Sequence, residues 1–169
     1  SASFFKKYKD VDFELVVTSR LRRTHQTVHP FIEKGIPWVQ TEHINEICWG
    51  RHEGQPATPE RTEIYLAMIA EWQAGNFDAA LPEGETARQL FDRIHLFIEW
   101  LKTRTERHIL IATHGRAIRS LVTALKGKGP AEIEDAPHAN TGLYVIHYQD
   151  GSFVFETEND TSHLSETMI

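Results

Sequence analysis

Cysteine is almost missing from the sequence, and its scarcity limits both the chemistry and the environment of the protein. Cys48 is the single cysteine among 169 residues, so no disulfide can form within the chain. Proteins without disulfides are typical of the reducing cytoplasm, and we therefore expect a cytoplasmic location. A lone free thiol is most often a small buried hydrophobic residue, so we do not expect Cys48 to be a nucleophile.

Long apolar runs and an excess of positive charge are also missing. No stretch of the sequence approaches the roughly 18 apolar residues that a membrane-spanning helix needs. The formal net charge is −6, which opposes the broad basic surface that nucleic-acid binding requires. We therefore expect neither a membrane nor a nucleic acid as partner, and any bound anion must be held by a local pocket.

What is present is an ordinary globular composition, with 40% hydrophobic and 25% charged residues, over a length that suits one domain. We interpret 1–169 as a single domain. The pattern predicts a three-layer α/β/α fold, with an open, mostly parallel sheet and helices on both faces. The predicted strands are 11–19 and 108–113, followed by a hairpin around Asp150 and Gly151; the predicted helices are 2–9, 21–34, 58–74, 83–104 and 117–126; and 37–59 and the tail after Glu156 are predicted to be mainly irregular.

Polar clusters follow both buried strands at the point where each strand ends. The first is Thr18–Arg23 and the second is Thr113–Arg116. Ligands of open α/β sheets bind outside the carboxyl ends of the strands. The coincidence of the two clusters is the strongest indication of a ligand site in this sequence.

The His114-Gly115 pair lies where a strand passes into a helix. Gly115 lets the backbone approach a ligand closely, and the helix N-terminus offers free N–H groups to an anion. Taken alone, the pair fits an ordinary strand-to-helix turn equally well.

The arginines after Ser19 favour an anion. Cations at a helix N-terminus oppose the helix dipole, so three arginines there need another explanation. A guanidinium can meet a phosphate with two parallel N–H groups, and we predict that Arg23 is a phosphate ligand. Arg20 and Arg22 are better explained as a solvated basic surface.

Six segments, in order along the chain, resemble the motifs of one known family. Val16–Thr27 is similar to that family's strand followed by Ser-Ser-Pro-Leu-x-Arg-Ala-x-Gln-Thr, and 109–119 to its Val-x-His-Gly-x-x-Ile-Arg. The other four matching segments are 44–54, 82–86, 140–141 and 159–164. Together they cover essentially the whole chain, which resembles the phosphoglycerate-mutase-like branch of the histidine phosphatase superfamily.

The resemblance implies a reaction and assigns residues to it. Members of this family transfer a phosphoryl group through a phosphohistidine, which water or an acceptor then attacks. By position, His114 would be the second histidine, donating to the phosphoryl oxygens together with Gly115. Arg23 would bind the same group. Glu46 would protonate the leaving oxygen, although without the resemblance a solvated loop glutamate is the simpler interpretation.

The resemblance also places the substrate near the loop after Glu46. We expect Trp49, His52, Glu53 and Asn140 to line the pocket for the leaving group, with Glu53 as a weaker candidate for the proton donor. Glu85 and Thr86 are expected to cap the following helix. The expected ligand is a small phosphorylated substrate or inorganic phosphate, with no cofactor and no metal.

One element of the family is missing from the sequence. The family's nucleophile belongs to an Arg-His-Gly tripeptide at the end of a first strand, and no such tripeptide occurs here. We expect a domain that is N-terminally incomplete, lacks its first strand and is inactive alone. Sheet edges left open in this way favour association, so a homodimer is also expected.

Four alternatives stay open at this point. The chain could be a degenerate, non-catalytic phosphate-binding or regulatory member of the family. It could be a phosphomutase, although the short region 54–82 leaves little room for a lid and favours a phosphatase. His114 could itself be the nucleophile, assisted by His25 or His138. Metal-dependent hydrolysis would use histidines that share no ligand motif, namely His25, His29, His43, His52 and His138.

Overall fold

The computed structural model describes residues 2–165, and its centre is a short parallel sheet. Strand β1, Leu15–Ser19, is buried along its whole length. It pairs in parallel with β2, Trp38–Thr41, on one side and with β3, Ile109–Ala112, on the other. The strand order is β2-β1-β3, so the carboxyl ends of all three strands lie at one edge.

Six α-helices and a hairpin surround this sheet in the described part of the chain. The hairpin consists of β4, Leu143–Gln149, and β5, Ser152–Asp160. Short 3-10 helices cover Glu42–Ile44, Gly50–His52 and Pro130–Asp135. The α-helices are α1, Ala2–Tyr8; α2, Arg22–Glu33; α3, Pro59–Gln73; α4, Ala87–Lys102; α5, Gly115–Leu125; and α6, Ser162–Ser165.

Helices cover both faces of the sheet because successive side chains of β1 point in opposite directions. Leu15 and Val17 pack with the buried residues of α3, α4 and α5. Val16 packs with Phe4 of α1 and Phe31 of α2. The predicted three-layer α/β/α fold is thereby confirmed.

The hairpin forms its own two-stranded antiparallel sheet. Among the described residues, β3 pairs only with β1 and β4 pairs only with β5. The strands are therefore divided between a parallel and an antiparallel group, whereas the sequence pattern predicted one open sheet.

One strand was missed by the sequence prediction, and one prediction for local structure was wrong. Strand β2 is the missed strand: it lies inside 37–59, which is otherwise mainly irregular, as predicted. It is a four-residue edge strand with three exposed positions, so it lacks the apolar pattern of a buried strand. The wrong prediction is that of a mainly irregular tail after Glu156: the chain continues β5 to Asp160 and then forms α6, where His163 is fully buried against Phe4. Residues 166–169 of that predicted tail lie outside the described residues.

Within 2–165, no helix is long and apolar enough to cross a membrane. Cys48 is exposed, whereas a free thiol was expected to be buried.

Candidate functional site

The carboxyl edge of the sheet brings together a buried group of polar side chains. His114 is the residue immediately before α5 and is only 7% exposed. Its Nε2 atom lies 2.7 Å from the Oγ atom of Ser19, the last residue of β1. Ser19 Oγ also lies 2.9 Å from Thr24 Oγ1 and accepts the N–H of Leu21 at 3.1 Å. The ends of β1 and β3 are thus joined through one histidine.

Arg23, which is more exposed, contacts this group and fixes the protonation state of His114. Its Nε–H donates to His114 Nδ1 over 2.8 Å, so Nδ1 must carry a lone pair and the ring proton lies on Nε2, facing Ser19. Burial, with the positive charges of Arg23 and Arg93, lowers the pKa of His114 to about 4. His114 is therefore neutral at pH 7 in this arrangement.

Glu46 lies against the first turn of α5. Its carboxylate accepts the backbone N–H groups of Arg116 and Ala117 at 3.2 Å and that of Ile47 at 3.0 Å. Free N–H groups and the helix dipole both stabilise negative charge at this position. The helix N-terminus beside His114 is thus able to hold a carboxylate or another anion.

Gly115 separates Glu46 from a second histidine. A Cβ atom at Gly115 would lie 2.9 Å from His138 Nε2 and 3.7 Å from Glu46 Oε2. Real Cβ atoms rarely approach other atoms so closely, so a side chain here would displace His138. The glycine leaves an open space between the imidazole and the carboxylate.

A part-buried ion pair fixes the loop that carries Glu46. Arg93 of α4 donates from Nε and Nη2 to Glu85 at 2.6 and 2.9 Å, and from Nη1 to the carbonyl of His43 at 2.7 Å. Glu85 also accepts the N–H of Cys48 at 3.3 Å. The expected helix cap is supplied by Thr86, which forms a capping box with Gln89, whereas Glu85 braces the loop.

A cleft of about 370 Å³ opens beyond Glu46 and Gly115. Arg116 is buried in its wall, where it donates to Glu134 and to the hydroxyl of Tyr65. Arg119 donates from Nη1 to the other oxygen of Glu134 at 2.7 Å. The residues that line the cleft are Glu46, Trp49, Tyr65, Gly115, Arg116, Arg119, Glu134 and His138.

The segment that carries His138 is held by the hairpin. Asn159, near the end of β5, accepts the N–H of Ala139 at 2.8 Å through its side-chain oxygen. The same oxygen would lie 2.1 Å from a Cβ atom at position 142, so Gly142 makes this approach possible. Burial, followed by the charge of Arg119, lowers the pKa of His138.

The sequence-predicted site residues divide into two groups. Arg23, His114, Gly115, Glu46 and Trp49 come together along the sheet edge and the cleft. The other three do not line the cleft: Glu53 accepts the N–H of Trp49 at 2.8 Å, His52 ends a 3-10 helix, and Asn140 is exposed before β4. A role for these three in substrate binding stays a prediction.

Several residues of the site were given no role by sequence reasoning. Ser19 had a usable signal, because it ends a buried strand whose parallel neighbour leads into His114. Arg93 interrupts the apolar stripe of α4 but was not singled out. The cleft residues Tyr65, Arg119 and Glu134 come from separate elements, and no spacing in the sequence connects them.

A metal centre finds no support in the geometry of the described residues. Within 2–165, no group of three or more histidine, cysteine, aspartate or glutamate side chains is placed to hold a metal ion. His25 instead packs against the rings of Trp38 and His29, at centroid distances of 4.6 and 5.0 Å.

Solved structures share this fold. The structure described as Bacillus stearothermophilus YhfR matches with a TM-score of 0.80 and 25% identity, over 96% of this chain and 81% of that one. The α-ribazole phosphatase from Shigella flexneri matches with a TM-score of 0.78 and 20% identity, over 94% of this chain and 79% of that one. The second likeness supports the fold alone.

Sequence comparison finds relatives that match nearly the full chain. An uncharacterized phosphatase, PhoE, of Bacillus subtilis (strain 168) is 29% identical over 159 residues, which are 93% of this chain and 76% of that protein. A probable phosphoglycerate mutase, GpmB, of Yersinia pestis (strain Pestoides F) is 29% identical over 160 residues, with coverage of 88% and 72%. The model of the histidine phosphatase superfamily (branch 1) matches residues 1–161. The chain belongs to the histidine phosphatase superfamily.

Proposed function

We propose that this chain binds the phosphoryl group of a small cytoplasmic phosphomonoester at the N-terminus of α5, within a hydrolase that works through a phosphohistidine. The observation that carries the proposal is that Arg23 contacts His114 and that Glu46 contacts the first turn of α5, which begins directly after His114. Together they offer two donors for phosphoryl oxygens and one carboxyl group for a leaving oxygen.

The Arg23–His114 contact explains how an anion would be received. The two side chains now face each other through the lone pair of His114 Nδ1, which requires a neutral ring. A phosphoryl group between them would accept the Arg23 N–H groups and would favour a proton on Nδ1. The charge spread over the phosphoryl oxygens in the transition state would then meet two cationic donors.

Glu46 is proposed as the proton donor to the leaving group. In the reaction, a histidine nitrogen attacks phosphorus, the bond from phosphorus to the ester oxygen breaks, and that oxygen takes the proton of the Glu46 carboxyl group. Water then attacks the phosphorus of the phosphohistidine and gives its proton to the Glu46 carboxylate; the bond from phosphorus to the histidine nitrogen breaks, phosphate leaves, and the histidine and the Glu46 carboxyl group are both regenerated. The position of Glu46 between the phosphate donors and the cleft supports this role, because the leaving group would extend into the cleft.

We propose that His114 is not the nucleophile and that residues 1–169 do not contain it. Both ring nitrogens of His114 are hydrogen-bonded, one to Arg23 and one to Ser19, so neither presents a free lone pair to substrate. No Arg-His-Gly tripeptide occurs in the sequence. We therefore expect residues 1–169 alone to bind phosphate without turning over an ester, which is also the behaviour of a non-catalytic family member.

Hydrolysis is preferred to phosphoryl transfer between metabolites. The relatives include both the phosphatase PhoE and the mutase GpmB, so kinship alone does not decide. The cleft beyond Glu46 is open to solvent on the side of Trp49 and Arg119, whose side chains are only partly buried. Water can therefore reach the site, which favours hydrolysis of the intermediate.

The decisive experiment is calorimetric titration of the chain with inorganic phosphate. We expect Arg23→Gln to weaken binding about 30-fold, because a charge-assisted hydrogen bond contributes about 2 kcal/mol. Arg22→Gln is the matched control, since it removes the same charge from the same helical turn; it should change affinity by less than about twofold. Equal effects of the two changes, or no phosphate binding, would overturn the proposal.

Turnover of p-nitrophenyl phosphate tests the proposed absence of the nucleophile. The chain should show no burst and no steady-state release of nitrophenol. Release of nitrophenol would contradict this absence, and a phosphoryl group found on His114 by mass spectrometry would make His114 the nucleophile.

Association of two copies remains part of the proposal. Strand β2 is an edge strand, and Trp38 and Val39 on it are 38% and 40% exposed. Unpaired edges of this kind favour pairing with another chain. Sedimentation equilibrium should give a dimer mass, and a monomer at all concentrations would contradict it.

A further inference from the structure

Two of the six segments that match the family motifs contribute no residue to the proposed phosphate site, but the structure brings them together. They are Asn140-Thr141, before β4, and 159–164, which runs from the end of β5 into α6. The Oγ1 atom of Thr141 lies 3.3 Å from the Nε2 atom of His163. This contact joins α6 to the segment that follows His138.

Thr141 has a backbone conformation that its own side chain disfavours. Its φ is +58°, in the left-handed region, where a β-branched residue is a clear outlier. It is the third residue of a tight turn in which the N–H of Gly142 donates to the carbonyl of Ala139 at 2.9 Å, and glycine is the usual residue at a left-handed position of such a turn. Strain of this kind persists only where the surrounding structure imposes it. We therefore expect an interaction of the threonine side chain to hold the turn.

His163 supplies that interaction from a fixed position. The residue is fully buried. Its ring lies edge-on to Phe4, at a centroid distance of 5.4 Å, and 6.3 Å from the ring of Tyr8. Beside it, Lys7 Nζ donates to Ser162 Oγ at 2.7 Å and ties α1 to α6. The hydroxyl group in the turn is thus bonded to an imidazole whose position is determined by packing against α1.

His138 depends on this turn for its position. Its side chain is exposed, and among the residues that the structure describes no hydrogen bond holds its imidazole. A Cβ atom at Gly115 would nevertheless lie only 2.9 Å from its Nε2 atom, so the ring lies at the start of α5. The charges that act on it there are those of Arg119, Glu46 and Arg116, and partial burial, followed by the charge of Arg119, lowers its pKa. The backbone that carries His138 therefore determines where the imidazole lies.

From these contacts we propose that Thr141 and His163 are positioning residues, which together hold the imidazole of His138 at the start of α5. The left-handed turn is maintained by the bond to His163 rather than by a glycine, so the position of His138 depends on the packing of α6 against α1. Neither Thr141 nor His163 lines the cleft, and both act through His138. The inference goes beyond the proposed function, because it concerns how one wall of the site is held.

The NMR signals of the His138 ring report its position without any ligand. Titration of the unaltered chain should give His138 a pKa below 6.5, and the signal is assigned by its loss in His138→Gln. Thr141→Ala and Thr141→Gly remove the hydroxyl group, so the ring should leave the start of α5 and its pKa should rise toward 6.5. Thr141→Gly also relieves the backbone strain, so we expect it to fold, and thermal unfolding verifies this.

Three further variants separate the contact from a general effect on the fold. Thr141→Ser keeps the hydroxyl group and should leave the pKa of His138 as it is in the unaltered chain. Asp150→Gly is the matched control for strain, because Asp150 is also left-handed, with a φ of +51°, but is exposed in the hairpin turn; it too should leave this pKa unchanged. His163→Leu should raise the pKa as Thr141→Ala does. The two changes combined should raise it no further, because both residues belong to one contact.

An unchanged pKa of His138 in Thr141→Ala and Thr141→Gly would overturn the proposal, and so would an equal rise in Thr141→Ser. If His163→Leu does not fold, the three Thr141 variants decide. Calorimetry with sulfate connects the result to the site: Thr141→Gly should weaken binding about threefold, because a mobile side chain must be ordered again. An unchanged sulfate affinity despite a raised pKa would overturn the link to the site. If the unaltered chain binds neither sulfate nor phosphate, the proposed function fails, whereas the pKa values still test the contact.

Discussion

The two ends of the cleft are built in different ways. At the phosphate end, Ser19 and His114 follow neighbouring strands of one sheet and are locked by short hydrogen bonds. At the other end, Trp49, Tyr65 and His138 come from a loop, a helix and the segment before the hairpin. The comparison suggests that the sheet determines which group is bound, whereas the loops and helices determine which molecule carries it.

The largest expected effect of a substitution on stability at neutral pH comes from breaking the ion pair between Glu85 and Arg93. Glu85→Gln removes the charge that holds Arg93, and both side chains are largely shielded from solvent, with 15% and 16% exposure. An unpaired charge that is mostly shielded from water is costly, so we expect a loss of about 2 kcal/mol in the free energy of unfolding by urea. Glu83→Gln, which breaks the exposed pair with Arg51, should cost less than about 1 kcal/mol. Similar losses in the free energy of unfolding for both variants would show that the Glu85–Arg93 pair stabilises the fold no more than an exposed ion pair does.

A second prediction concerns the pH dependence of stability at the phosphate end. The pKa of His114 is lowered from 6.5 to about 4 in the folded protein. Between these values the unfolded chain binds a proton that the folded site excludes, so the stabilisation is complete above pH 6.5 and is lost as the pH falls toward 4. The loss attributable to His114 is up to about 3 kcal/mol.

Urea unfolding at a series of pH values measures this loss. His114→Gln should lack this part of the pH dependence and retain the rest. Parallel stability curves for the two proteins would contradict the neutral, buried histidine.

A third prediction concerns how pH changes the binding of sulfate near His114. Sulfate stays doubly charged over this pH range, so only the protein titrates. Because a bound anion favours the protonated ring, the pKa of His114 should rise on binding, and affinity should increase about tenfold from pH 7 to pH 5. Calorimetry with His114→Gln should show a weaker dependence, and an affinity that is flat with pH would count against the proton on His114.

The smallest expected effect concerns the boundary between the two ends. Gly115→Ala places a methyl group 2.9 Å from His138 Nε2, but the end of that side chain can move. Stability should change by less than about 1 kcal/mol, while sulfate affinity should fall about threefold because the space beside Glu46 narrows. Gly129→Ala, where a Cβ atom meets no neighbour, should alter neither quantity.

The difference between the sheet and the rest of the cleft also explains which parts of the molecule could be predicted from sequence. Buried strands and amphipathic helices have local patterns, so β1, β3 and the stripe of α4 were recognisable, and the polar residues after the strands followed from topology. The exposed edge strand β2 and the ordered tail with buried His163 had no such pattern. Their structure depends on pairing with β1 and on packing against α1.

The interior of the cleft was beyond the reach of sequence reasoning for a physical reason. Arg116 and Glu134 are 18 residues apart and Arg116 and Tyr65 are 51 apart, and charged residues are ordinarily solvated. Only the fold reveals that these residues share one wall. Conversely, Asn140 carried a motif match but is exposed beside the site.

The contact between Asn159 and Ala139 has a consequence for how this protein tolerates change. The oxygen of Asn159 sets the position of the segment that bears His138, and Asn159 is itself positioned by the pairing of β4 with β5. An insertion or deletion at the Asp150-Gly151 turn that shifts this pairing would therefore move one wall of the cleft, although the turn lies in a different part of the chain. Selectivity for the leaving group could then change through the length of a distant hairpin, with every residue that contacts the substrate left intact.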